Sequence, residues 1–156
     1  MSEMVVEAPA SVRDWNEARR LIEQYGASLD VDLSFQDFSG ELDRLPAEYG
    51  APSGAMRLAR DGSAYVGCVG VRRLDAERAE MKRLYVVPHA RGRGVGRLLA
   101  QASVEAARAL GCRQLLLDTL PSMREAHALY RSMGFRAVPA YRFNPVAGTA
   151  YLALDL

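Results

Sequence analysis

Cysteine is scarce, with two in 156 residues. Cys68 and Cys112 stand far apart with no C-x-x-C pair and no metal-ligand spacing, so neither a disulfide framework nor a metal site is encoded, and both read as reduced thiols. Histidine is as sparse. His89 reads as a turn residue and His127 as a helix-surface residue, and nothing around either suggests a metal. Charge of one sign is also missing: a net charge of +1 gives no overall attraction to nucleic acid or to an anionic membrane, so any basic site has to be local. A nucleic-acid module is opposed further by the lack of an aromatic stacking platform. No apolar run is long enough to span a bilayer, and the start Met1-Ser2-Glu3 lacks the basic and apolar regions of a signal peptide, so the expected location is cytoplasmic. Without repeats or low-complexity tracts, residues 1–156 are expected to form one domain able to bury a real core.

What is present centres on residues 80–110. Leu84 to Val87 have strong β propensity, Pro88 ends the ladder because it brings no N–H, and Arg91-Gly92-Arg93-Gly94-Val95-Gly96 alternates arginine or valine with glycine. Val95, Leu98, Leu99, Ala102, Ala106, Ala109 and Leu110 then recur at helical spacing. A strand that passes through glycines into a helix start aims several free N–H groups at one spot, with the helix dipole behind them, and that spot attracts an anion. A P-loop is excluded, because Arg97-Leu98 stands where Lys and Ser or Thr are required. A dinucleotide fingerprint needs glycine where Arg97 stands, and too little chain follows to complete a doubly wound sheet.

The remaining chain reads as mixed α/β. Val5-Val6 suggests a short first strand. Ser11 caps a helix with the stripe Trp15, Ala18, Ile22 and Tyr25, for which Gly26 is the expected stop. A loop with Asp30 and Asp32 leads to a second short helix, capped by Ser34, carrying Phe35, Phe38 and Leu42 and followed by Pro46. Residues 55–60 and 63–73 form strands around the hairpin turn Asp61-Gly62, and the chain returns as the strand before the glycine turn, giving three antiparallel strands in series. Arg72 and Arg73 either solvate a strand end or hold a substrate carboxylate. Gly111 stops the long helix, and residues 113–118 form a buried strand, parallel to the earlier one through a right-handed crossover. Ser122-Met123-Arg124-Glu125 reads as a capping box for a helix that closes at Gly134-Phe135, and strands at 135–138 and 149–156 flank a loop rich in aromatics and proline.

These features resemble the GNAT superfamily of N-acetyltransferases. Arg91 to Gly96 is similar to that family's Arg/Gln-x-x-Gly-x-Gly/Ala segment after a strand ending Leu-Tyr-Val-Val-Pro, and Ala128-Leu129-Tyr130 to Gly134-Phe135 is similar to its tyrosine helix and exit. The resemblance implies a central mixed, mostly antiparallel sheet of about six to seven strands flanked by about four helices. It implies acetyl-CoA as acyl donor, its pyrophosphate on Arg91, Gly92, Arg93, Gly94, Val95, Gly96 and Arg97, and its amide-bearing arm along the strand edge at Leu84, Tyr85 and Val86. It implies an enzyme that acetylates a primary amine by direct attack, with homodimers common in the family.

Three catalytic candidates follow. Tyr130 matches the family's acid for the departing thiolate, the alternative being a core tyrosine on an apolar stripe. A carboxylate has to accept the amine's proton, since an unperturbed lysine-like amine of pKa about 10.4 is charged at neutral pH. Glu80 at the start of the fourth strand and Asp118 at the end of the fifth are the candidates, Glu80 slightly preferred; either is instead an ion-pair partner of nearby Lys82, Arg83 or Arg113. Many family members carry Asn seven residues before the tyrosine to bond the cofactor arm; here that residue is Met123. A small molecule or amino acid is the expected acceptor, with a protein amine as an alternative, and a CoA-binding sensor without turnover is the rival from another class.

Overall fold

The computed structural model describes residues 3–29, 32 and 37–156. Among them the chain runs β1 (Met4–Glu7), α1 (Val12–Ser28), α2 (Phe38–Asp43), α3 (Leu45–Glu48), β2 (Gly54–Asp61), β3 (Ala64–Arg73), β4 (Arg78–Val86), a 3-10 turn (Pro88–Ala90), α4 (Val95–Ala109), β5 (Gln114–Thr119), α5 (Arg124–Ser132), β6 (Arg136–Ala137) and β7 (Ala150–Asp155). The strands form one sheet of seven in the order β1-β2-β3-β4-β5-β7-β6, antiparallel except for the β4–β5 pair. The meander before the glycine turn and the parallel crossover after it are both as the sequence predicts.

Helices cover both faces. A Cβ on Gly67 would stand 2.9 Å from Leu99 of α4, and one on Gly70 would stand 2.5 Å from the Tyr49 ring at the end of α3. These two positions have opposite parity along β3, so α4 and α3 pack on opposite sides of the sheet. Neither position has room for a side chain, the closest atom at Gly67 being the Tyr85 carbonyl oxygen at 2.8 Å. The α4 side holds Val95, Leu99 and Ala100, while Leu21, Ile22 and Leu45 are fully buried in the core the sheet shares with α1 and α3.

Local chemistry accounts for most helix ends and corrects several expectations. Ser11 caps α1 as predicted, its hydroxyl accepting from the Asp14 N–H at 3.1 Å. Gly26 does not stop that helix, which continues to Ser28; a Cβ there would stand 2.8 Å from the Phe38 ring, so Gly26 serves close packing of α1. The predicted cap Ser34, Phe35 and loop residue Asp30 lie outside the described residues, and α2 begins at Phe38. Pro46 follows α2 as expected and also lies in the first turn of a further short helix, α3, where no N–H is needed from it. The capping box at Ser122 does not form. Ser122 sits in a turn closed by the Met123 N–H to Leu120 O at 3.0 Å, and α5 starts at Arg124 without a side-chain cap.

Candidate active site

The site is built by a kink in β4. Between Cys68 and Gly70 of β3 the facing strand advances from Lys82 to Tyr85, one residue more than β3 supplies, and the surplus residue Arg83 takes a left-handed backbone with φ 62°. Such a conformation in a non-glycine residue costs on the order of 1–3 kcal/mol and has to be held by its surroundings. Here the guanidinium, 2 % exposed, donates from Nε and from its terminal nitrogen to the two carboxylate oxygens of Glu41 at 2.8 and 3.1 Å, with the Phe38 ring 5.1 Å away. Burial alone would push the Glu41 carboxyl up; Arg83, with Lys82, outweighs it and holds the carboxyl below its ordinary value.

Beyond the bulge the two parallel strands part. β4 and β5 pair only at Arg78–Gln114, Ala79–Leu115 and Glu80–Leu116, although β4 runs on to Val86 and β5 to Thr119. The wedge between them opens into a cleft of about 720 Å³, within the range of ligand pockets. Its walls are Leu84, Tyr85 and Val86 on β4 and Ser122 to Ala126 at the start of α5; its end is Arg91, Gly92, Gly94, Val95 and Gly96. Gly92 and Gly94 both have φ 79°, which only glycine adopts freely, and Gly94 caps α4 without a side chain, leaving the first-turn N–H groups directed at the cleft. Arg91 lies at the lip and donates to Val86 O at 2.9 Å. Arg93 is drawn away to Asp61 at 2.9 Å and Arg97 to the Ser132 hydroxyl at 2.8 Å, and neither lines the cleft.

A smaller cavity of about 80 Å³ adjoins the cleft through shared walls at Tyr25, Leu84, Met123 and Ala126. Tyr130, Asp118 and Lys82 also line it. Tyr130 is buried, its hydroxyl has no hydrogen-bond partner among the described residues, and burial raises its phenol pKa well above the ordinary value, so it stays protonated at neutral pH. Among the described residues Asp118 accepts one bond, from the Asn144 amide at 3.1 Å. Glu80, 1 % exposed, lies behind this cavity and lines neither space; its oxygens accept from the Tyr141 hydroxyl at 2.6 Å and from Arg142 at 2.5 Å. Lys82 extends towards the same cluster, with Nζ 3.7 Å from Glu41 and 3.9 Å from Glu80. Burial and the neighbouring Arg83 lower its pKa to about 8 against the pull of both carboxylates.

The wedge thus gathers Leu84 to Val86, Arg91, the glycines, Asp118 and Tyr130, and leaves Arg93, Arg97 and Glu80 outside its surface. Arg73 is engaged by carbonyls, among them Leu110 O at 2.5 Å, and Arg72 stands 3.7 Å from Glu48. His127 is half-buried and pins the β5–α5 turn through Leu120 O at 3.0 Å, a structural role that helix periodicity did not indicate. Sequence reasoning missed Glu41, Tyr141, Arg142 and Asn144, and named Lys82 only as an ion-pair partner. One signal was legible: a lysine in the middle of a strand of otherwise buried character has to have a reason to be there. The partners on the 139–148 loop carry no comparable mark.

Comparison with known proteins places the chain in a family. Residues 14–135 match the model of the acetyltransferase (GNAT) family. An uncharacterized N-acetyltransferase of Schizosaccharomyces pombe is 35 % identical over 158 aligned positions, covering 99 % of this chain and 96 % of the relative. Among solved structures, an acetyltransferase from Streptococcus agalactiae has the same fold with a TM-score of 0.79 at 22 % identity, covering 98 % of each chain. An acetyltransferase from Salmonella typhimurium, solved with its cofactor acetyl-CoA, gives a TM-score of 0.74 at 15 % identity over 99 % of this chain and 94 % of that one.

Proposed function

The chain belongs to the acetyltransferase (GNAT) family, and from that premise we propose that it transfers the acetyl group of acetyl-CoA to a primary amine of a small molecule by direct attack in a ternary complex. The observation that carries the proposal is the parting of β4 and β5 after Glu80 and Leu116, with a glycine turn at one end of the wedge and Tyr130 and Asp118 at the other. The residues fit such a donor. Uncapped N–H groups of α4 and Gly94 suit a pyrophosphate, Arg91 adds positive charge at the lip, and the open edge of β4 suits an amide-bearing arm. Met123 lines both cavities, so an apolar wall replaces the side-chain amide that many family members offer there.

Acetyl-CoA supplies an activated thioester; the chain's own residues position the amine and move its proton. Asp118 is the base in this reading, because its carboxylate faces the small cavity with a single donor on it among the described residues, whereas both oxygens of Glu80 are engaged by Tyr141 and Arg142. The nitrogen forms a bond to the carbonyl carbon, the carbon–sulfur bond breaks, and the Tyr130 phenol donates to the sulfur. The small cavity holds roughly five waters at about 15 Å³ each, a size suited to a small acceptor. A thermal-shift measurement tests the donor. At a hundredfold excess over Kd a ligand stabilises by about 2.7 kcal/mol, which raises Tm by roughly 5–10 °C for a chain of this size. Acetyl-CoA is expected to give that rise and NAD none; the reverse pattern refutes the assignment.

A further inference from the structure

Lys82 is the group for which the reaction above has no use. Its side chain is 5 % exposed, it lines the small cavity, and it donates no hydrogen bond among the described residues. Charged groups surround it on every side, from α2 (Glu41), its own strand (Glu80, Arg83), the 139–148 loop (Arg142) and β5 across the cavity (Asp118). The two nearest carboxylates are already engaged at shorter range: Glu41 accepts twice from Arg83, and Glu80 accepts from Arg142 and Tyr141. Their oxygens stand 3.7 and 3.9 Å from Nζ, beyond hydrogen-bond reach. A buried ammonium with its donors unused is costly unless something completes it.

We propose that the acceptor carries a carboxylate next to its reacting amine, and that Lys82 is the residue that binds it. The cavity then presents a cation on β4 and an anion, Asp118, on β5, a pattern complementary to the zwitterion of a free amino acid. Its volume of about 80 Å³ suits the amine and carboxylate of such an acceptor. The protonation of Lys82 supports the assignment, since a pKa lowered to about 8 still leaves it mostly charged at neutral pH. The inference rests on the transferase reading given above and adds the acceptor's class to it.

The test uses acetyl-CoA with L-amino acids and their primary carboxamides, following release of free thiol. An amide's amino group is less basic than the acid's, so more of it is neutral at a given pH, and preference for the acid runs against that trend. The wild-type protein is expected to favour the acid by about 10- to 100-fold in kcat/KM, the range for a charge-assisted hydrogen bond, and Lys82→Met is expected to abolish that preference. Lys82→Arg is expected to retain it. Should Lys82→Met not fold, the wild-type comparison and Lys82→Arg still decide. Equal or better turnover of the amides by the wild type overturns the carboxylate assignment and leaves the transferase intact. A variant that slows acid and amide equally overturns it too, because that is the signature of a structural lysine. Thiol release with neither class of amine overturns the inference together with the reading beneath it.

Discussion

Replacing Glu41 by Gln tests whether the wedge depends on a buried ion pair. Glu41 and Arg83 are 1 % and 2 % exposed, and the change removes the carboxylate that two guanidinium donors reach, while Lys82 and Arg83 keep their charges nearby. Removing one member of such a pair costs about 3–5 kcal/mol, well above the median near 0–1 kcal/mol for a surface pair. With a urea m-value of about 2 kcal/mol/M, the midpoint falls by roughly 1.5–2.5 M, and Tm falls by about 6–20 °C. Trp15, the single tryptophan, and far-UV circular dichroism give two probes, whose coincidence checks that unfolding is two-state. Glu41→Met with Arg83→Met together is expected to recover part of the loss, since the Arg83 charge goes with its carboxylate and Lys82 keeps Glu80 as a neighbour. The sign with pH follows from the lowered pKa. A depressed carboxyl stabilises the fold above its ordinary value of 4.5 and loses that contribution as pH falls through the folded value, so the wild type is expected to lose its advantage over Glu41→Gln in acid. A midpoint change below about 0.3 M refutes the reasoning, because it would mean that the bulge at Arg83 stands without its partner.

Three further outcomes are expected. Tyr130→Phe lowers kcat by about 100-fold with KM for acetyl-CoA nearly unchanged, and wild-type turnover in that variant would remove the phenol from the mechanism. Asp118→Asn lowers kcat/KM by roughly 100-fold near neutral pH, with the deficit shrinking as pH rises because the amine then arrives without its proton; a Glu80→Gln variant showing that pH pattern, with Asp118→Asn inert, would exchange the two roles. For an amino-acid acceptor KM is expected to rise above about pH 8, as Lys82 loses its proton, whereas KM for the matching amide stays level; parallel profiles would contradict a carboxylate on Lys82.

The meander and the glycine turn were largely legible because their causes are local. Period-two strands around Asp61-Gly62, positive φ at Gly92 and Gly94, and the switch to helical spacing at Val95 are each written within a few residues. The surroundings of Glu80, Lys82 and Asp118 were not, because they are assembled from distant pieces. Glu41 meets Arg83 across 42 positions, Arg142 meets Glu80 across 62, and Asn144 meets Asp118 across 26. No periodicity marks such pairs. The failed capping box at Ser122 has a similar lesson: a local pattern yields when a turn at Leu120–Met123 shifts the helix start by one residue. Gly26 read as a helix stop because nothing near it in sequence announces the Phe38 ring.

The central claim is that the wedge between β4 and β5 carries acetyl transfer to an amine, and acceptor-dependent release of thiol from acetyl-CoA measures it most directly. Release that requires an amine, yields the N-acetylated product in equal amount and collapses in Tyr130→Phe is the predicted result. Binding of acetyl-CoA with no amine-dependent release of thiol would contradict the account.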